Sequence, residues 1–266
     1  VGSWLDATSW GEWLLRIDDL DTPRCRPQHE HAILAALCAF GLDSADEPKR
    51  QSDRRARYAQ AETTLASRLP LFHCDCTRRD LARGGEPCCA RDCRRRRCDP
   101  ADSALRADLR GLSVLRVLDR SLGEIRFAPQ LHRDVIIRRR DGLHSYHLAT
   151  VVDDADEGIT DVVRGADLLP STVWQLALQA ALDLPTPVYL HLPLVVEPDG
   201  RKLAKSRHSA PLEPGRATEQ LRRVLGWLGQ PQPPLTLRDA RSMLAWLRPR
   251  WDPARLLGLR EVRLEA

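Results

Sequence analysis

No stretch of this sequence approaches the roughly 18 uninterrupted apolar residues that a membrane-crossing helix needs, so a spanning helix is not expected. The opening residues Val1-Gly2-Ser3-Trp4 lack the charged-then-apolar order of a secretory signal, and the cytoplasm is the expected compartment. Internal repeats and low-complexity linkers are also missing. Neither charge sign dominates: 41 Lys and Arg against 37 Asp and Glu leave a net charge of +4. That balance is compatible with an RNA partner and does not demand one. Arginine does cluster, at 94–97 and 138–140, where guanidinium groups suit either a solvated face or phosphate pairing and base stacking. What is present is 266 residues, 42% hydrophobic and 29% charged, enough for one large domain, or a domain with an insertion, around a real core.

Cysteine is scarce outside one segment. Six of the eight (Cys74, Cys76, Cys88, Cys89, Cys93 and Cys98) fall within 25 residues, and only Cys25 and Cys38 lie elsewhere. A disulfide scaffold would be short and cysteine-dense throughout, whereas a tight cluster inside a larger chain reads as a metal site. Cys74-x-Cys76 and Cys89-x3-Cys93 supply the tetrahedral thiolate set of a closed structural zinc site, with Cys88 and Cys98 as substitutes. Four thiolates on Zn2+ carry excess negative charge, which the arginine run 94–97 is expected to offset in part.

The hydrophobic pattern predicts a buried strand at 13–17, then a helix from about Gln28 to Phe40 with Ile33, Leu34, Leu37 and Cys38 on one face and Gly41 as its stop. Ser52 is placed as the cap of the next helix, where Tyr58, Ala61, Leu65 and Leu69 recur at helical spacing. Residues 72–76, 134–138, 160–164 and 189–196 read as strands, and Leu168 to Leu182 as a helix. Alternating strands and helices predict an α/β fold with a parallel sheet that binds ligands at its carboxyl edge. Residues 72–132 interrupt that rhythm as an insertion, and three short amphipathic segments after residue 212 form a helical tail.

Three motifs carry chemistry. Arg16-Ile17-Asp18-Asp19-Leu20-Asp21 puts carboxylates just past a strand, as a charged loop or as a pocket for a ligand ammonium group. Arg164, at the end of a strand before the turn at Gly165, either clamps a substrate carboxylate or pairs with Asp153, Asp154 or Asp167. Lys202-Leu203-Ala204-Lys205-Ser206 follows the turn Pro198-Asp199-Gly200, and two lysines three apart can reach the oxygens of a polyphosphate.

In order and spacing these motifs resemble the glutamyl subgroup of the class I aminoacyl-tRNA synthetases over nearly the whole chain. Arg16 to Asp21 is similar to that family's R-I-E-D segment, Arg164 to Asp167 to its V-R-G-x-D turn, and Lys202 to Ser206 to its K-M-S-K-S loop. The cysteine pattern, and the roughly 60 residues after Ser206, resemble the branch that glutamylates queuosine. The resemblance implies a Rossmann-like parallel sheet made of a first half (1–71) and a second half (133–211), with a zinc-binding insertion (72–132) and a C-terminal helical subdomain (212–266). It implies activation of glutamate by ATP, taken with Mg2+, and transfer of the glutamyl group to queuosine in the anticodon loop of tRNA(Asp). By position Asp18 meets the glutamate ammonium, Tyr146 and Arg164 help bind the amino acid, Lys202 and Lys205 bind ATP, and Lys205 steadies the phosphates in the reaction. The nearby His144 and His147 read as structural. Cys74, Cys76, Cys89 and Cys93 hold the one structural zinc, Cys89 standing where the family commonly has tyrosine. A monomer is implied.

The chain departs from the family at Asp18, where Glu is usual, and at Ala204, where Ser is usual. The family's first strand and H-I-G-H-like element are expected a few residues before Val1, so residues 1–266 by themselves are expected to fold imperfectly or be silent in adenylation. Two alternatives stand beside the main reading: a synthetase that charges a tRNA 3′ end, and a non-catalytic, zinc-stabilised RNA-binding derivative.

Overall fold

The computed structural model describes residues 1–21, 24–44, 46–77, 79–80, 92–203 and 212–264, and among them a four-stranded sheet carries Arg164. Its order is β6 (Gly123–Phe127), β5 (Leu115–Asp119), β9 (Val188–Leu192), β8 (Asp161–Gly165). Strands β8 and β9 pair in parallel from Asp161↔Val188 to Gly165↔Leu192, and helix α5 (Thr172–Leu182) makes the crossover between them. β5 joins β9 in parallel at Asp119↔Tyr189, and β6 returns antiparallel. The α/β expectation with parallel pairing is met.

A second sheet, β3 (Leu71–Cys74), β4 (Ala104–Ala107) and β7 (Val135–Arg138), is antiparallel. Strands from within residues 72–132 thus share sheets with strands outside that segment. Helices α3 (Arg55–Ala66) and α4 (Tyr146–Asp156) pack here, burying Tyr58, Leu65, Ile137, Leu148 and Val152 in one core with Leu178 of α5. The helical spacing of Tyr58, Ala61 and Leu65 reads correctly as a buried face.

Several local expectations are corrected. The run 13–17 is not a buried strand: only β1 (Arg16–Ile17) pairs, in parallel with β2 (Lys49–Arg50), and Leu14 is exposed. Pro48, just before β2, has no N–H with which to extend the ladder. Helix α2 (Pro27–Ala39) forms where predicted, and Gly41 after it adopts φ +71°, but α2 has no buried residue and Ile33 is 51% exposed. Ser52 does not cap α3; it lies within the 3-10 turn Gln51–Arg54, where its amide and hydroxyl donate to Asp19. The helix predicted from Leu168 begins as a 3-10 turn, Ala166–Ser171, because Pro170 has no N–H for an α-helical bond. Gly165 has an ordinary φ of −68°, so it is not there to turn the chain; a Cβ at that position would lie 2.5 Å from Asp167 Oδ1.

The strand expected over 189–196 divides at Pro193 into β9 and β10 (Leu194–Val196). The tail contributes helices α6 (Ala217–Trp227) and α7 (Ala240–Leu247), then a strand, β11 (Glu261–Arg263), that pairs in parallel with β10. Its apolar faces enclose Leu221, Leu225, Met243 and Leu247 in a core with Leu5 of α1 (Gly2–Trp10), a helix not anticipated from the sequence. Among the described residues no helix is long and apolar enough to cross a membrane.

Candidate functional site

A cavity of about 820 Å3 opens where three elements end together, and Asp18, Tyr146 and Arg164 all line it. Asp18 follows β1, Tyr146 is the first residue of α4, and Arg164 is the penultimate residue of β8. Ser145 fixes the start of α4 by accepting from the Leu148 amide, which sets Tyr146 at the cavity mouth. Thr150, one turn further along α4, also lines the cavity, and its buried Oγ1 has no hydrogen-bond partner among the described residues.

Three cations line this cavity, and their partners differ in kind. Arg16 is consumed by carboxylates: Nε donates to Asp18 at 2.9 Å and Nη1 to Asp154 at 2.7 Å. Arg120 pairs with Asp6 and lies 3.5 Å from Asp161. Arg164 meets only neutral groups among the described residues, donating to Gln175 Oε1 at 2.6 Å, Thr172 Oγ1 at 2.8 Å and His191 Nε2 at 3.2 Å. The carboxylates considered as its partners are engaged elsewhere. Asp153 accepts from Gln51, Arg54 and Tyr58, Asp154 from Arg16, and Asp167 from Lys202. Burial presses Arg164 below the usual guanidinium range, the cost expected of a cation without a countercharge. A carboxylate brought in by a ligand would supply that countercharge.

The carboxylates of the Arg16 motif have separated duties. Asp19 serves the turn before α3, as described above, and Asp21 pairs with Arg24 at 2.8 Å and Arg139 at 3.3 Å. Asp18 is 41% exposed and, among the described residues, its carboxylate holds only the edge of Arg16, leaving oxygen lone pairs for an ammonium group. Asp154 is pushed upward, first by burial, against the opposing pull of Arg16.

Lys202 stands beside the same strand end, its ammonium paired with Asp167 just after β8 and its backbone bridged to Val196. Lys205, together with Ala204 and Ser206, lies outside the described residues. Of the four expected zinc ligands, Cys74, Cys76 and Cys93 converge with all sulfurs within 4.8 Å of one another, and Cys89 lies outside the described residues, as does Cys88. Cys74 and Cys93 are buried, and Cys76 Sγ is 3.4 Å from Cys93 Sγ without a disulfide. Cys98 groups with Cys93 and Asp75. Three converging thiols, two of them buried, fit a closed thiolate site for zinc. Within the arginine run, Arg96 faces Asp75, Cys93 and Cys98, whereas Arg94 turns away to Asp134 and Asp108.

A second cavity of about 730 Å3 shares Tyr146 and is lined by Arg106, Arg133, Arg139, Arg140, His147 and Trp174. His147 is pushed down to about 4 by burial and then by the Arg164 charge, in keeping with a structural role. His144 is lowered too, chiefly by burial, and contacts Glu62 at 3.2 Å. Sequence reasoning missed Thr150, Thr172, Gln175, Asp119 and His191. Their signal was available in part: Gln175 and His191 are polar residues inside otherwise apolar runs.

The chain matches the family described as tRNA synthetases class I (E and Q), catalytic domain, over residues 4–220. It is 45% identical over 265 residues to the Glutamyl-Q tRNA(Asp) synthetase of Ectopseudomonas mendocina, covering 96% of this chain and 87% of that one. To the Pseudomonas aeruginosa protein of the same name it is 44% identical over 264 residues, covering 96% and 88%. In fold it is similar to the glutamate-tRNA synthetase of Elizabethkingia anophelis, with a TM-score of 0.77 at 22% identity, covering 100% of this chain and 64% of that one. The chain therefore belongs to the glutamyl and glutaminyl class I aminoacyl-tRNA synthetases, a family of ligases, and groups there with proteins named Glutamyl-Q tRNA(Asp) synthetase.

Proposed function

We propose that this protein activates glutamate with ATP and transfers the glutamyl group to queuosine in the anticodon loop of tRNA(Asp). The observation that carries the amino-acid half is Arg164, a half-buried cation without a carboxylate partner among the described residues, on one cavity with Asp18 and Tyr146. The names of the relatives support the acceptor half.

Glutamate brings one ammonium and two carboxylates. Asp18 takes the ammonium, Arg164 receives the side-chain carboxylate and Tyr146 lies against the bound amino acid. An oxygen of the other carboxylate attacks the α-phosphorus of ATP, and pyrophosphate leaves with the electron pair of the broken P–O bond. A nucleophilic oxygen of the modified nucleoside then attacks the glutamyl carbonyl, and AMP departs. Neither step uses a side-chain nucleophile; the protein supplies alignment and charge stabilisation. Lys202 and Lys205 face the phosphates, Lys202 exchanging Asp167 for a phosphate oxygen, and ATP arrives with Mg2+. Cys74, Cys76, Cys93 and Cys89 hold one zinc, which fixes the 74–93 segment and enters no chemical step.

The test is ATP–pyrophosphate exchange with glutamate and with glutamine, followed by mapping of labelled glutamate on RNA from queuosine-containing and queuosine-free cells. In a chain carrying the family's first strand and H-I-G-H-like element ahead of Val1, exchange is expected with glutamate, with glutamine poorer by about two orders of magnitude or more, since a site built around one polar group strands its own donors on the wrong substrate. Arg164→Gln should weaken glutamate use by about tenfold or more. Label on the modified base supports the proposal. Label on the 3′ end, equal use of glutamine, or no label on any RNA would overturn it in favour of the alternatives.

A further inference from the structure

A guanidinium carries five N–H donors in a rigid plane and has no acceptor. At Arg164, Gln175, Thr172 and His191 take one donor from each of its three nitrogens, so among the described residues one hydrogen remains on each terminal nitrogen for a ligand carboxylate. The His191 contact also dictates a tautomer. Because Arg164 Nε donates, His191 Nε2 must present its lone pair, so the ring proton sits on Nδ1. There Asp119 Oδ2 accepts it at 2.6 Å.

Asp119 and His191 are both fully buried. Asp119 is itself immobilised: Oδ1 accepts from the Ser121 amide at 2.9 Å, the Ser121 hydroxyl at 2.8 Å and the Leu122 amide at 2.8 Å, while Oδ2 also accepts from the His191 amide at 3.1 Å. Tyr189 completes the packing, stacked on His191 at an interplanar angle of 4° and lying under the Arg164 guanidinium at 5.0 Å. Pairing Asp119 directly with Arg164 would orient the guanidinium equally well but would neutralise it. Interposing a neutral imidazole fixes the direction of Nε–H and leaves the cationic charge for a ligand.

We propose that Asp119 and His191 are positioning residues for substrate binding, a relay that sets the orientation of Arg164 for the amino acid's carboxylate; this rests on the glutamate reading of the cavity. The relay passes orientation, not a proton.

The wild-type chain provides the first test. In 15N-labelled protein, His191 should be protonated at Nδ1 and bare at Nε2, with a through-hydrogen-bond 15N–15N coupling between Nε2 and Arg164 Nε. A proton on Nε2, or no coupling, overturns the relay. The second test compares His191→Gln, whose carbonyl still accepts from Nε, with His191→Phe, which fills the space and cannot accept. Glutamate affinity by calorimetry should stay within about threefold for the former and fall by about ten- to a hundredfold for the latter, with ATP affinity unchanged in both. Asp119→Asn should move the ring proton to Nε2, set donor against donor at Arg164, and weaken glutamate to a similar degree. Equal glutamate affinity in wild type and His191→Phe would overturn the proposal. Absence of glutamate binding by the wild type would instead sink the pocket reading, while the coupling would still report whether His191 holds Arg164.

Discussion

At the residue scale, His147 and Arg164 show how the same desolvation acts on two bases. Arg164 stays a cation and waits for a countercharge; His147 gives up its proton. An imidazole held near 4 in the fold and near 6.5 in the unfolded chain is protonated first in the unfolded state. The stability it confers is therefore complete above about 6.5 and is lost as pH falls toward 4, by an amount on the order of 3 kcal/mol. Buried carboxylates with raised values, such as Asp154 and Glu157, change stability in the opposite sense. The difference between wild type and His147→Phe, taken from urea unfolding at pH 7 and pH 4.5, isolates the imidazole. The variant should lose less stability than wild type on acidification, and parallel curves would refute this.

At the scale of elements, the cysteines show what a strand end can do. β3 delivers Cys74 at its last residue, with Cys74 set opposite Ala104 of β4, and the chain returns Cys93 to the same point. Elemental analysis of purified protein should find about one zinc per chain, and chelation should lower the melting temperature by several degrees. A Cys89→Ala, Cys93→Ala double variant should lose the metal, and full occupancy in that variant would defeat the assignment. α2 teaches the opposite lesson about periodicity. Its apolar residues recur at helical spacing, yet none is buried, because spacing specifies a face and not what will cover it.

At the scale of the whole molecule, Asp153 joins parts of the chain far apart in sequence. Its carboxylate, fully buried, accepts from Gln51 at 2.8 Å, Arg54 at 2.7 Å and Tyr58 at 2.9 Å, tying α4 to the turn before α3 and to α3 itself. Arg54 and Arg57 then share Asp156, one turn along. Asp153→Ala leaves two buried neutral donors without their acceptor and takes from Arg54 one of its two carboxylates, and should cost about 2–4 kcal/mol by urea unfolding. Tyr58→Phe removes one donor and should cost about 1 kcal/mol. Similar losses for both variants would show that the carboxylate is not the hub. Because α4 also carries Tyr146 and Thr150, loosening this hub should blur the cavity as well as the core.

The amino-acid order alone settled the local matters. Runs of apolar residues marked β7, β8 and β9, helical spacing marked α3, and Gly41 marked the end of α2, because these depend on backbone preference and on neighbours a few residues away. The resemblance of its motifs to a known family, rather than spacing or periodicity, indicated Asp18, Tyr146 and Arg164 as a group. Tertiary structure decided whom those residues meet. Nothing near Arg164 in sequence tells whether Asp153, Asp154 and Asp167 will reach it; all three are taken by other cations, and it is left facing Gln175, Thr172 and His191. His191 read as one more residue of an apolar strand until Asp119, 72 positions earlier, was placed against its ring. A buried polar side chain must find its hydrogen-bond partner, but only the packing of distant segments determines which partner that is.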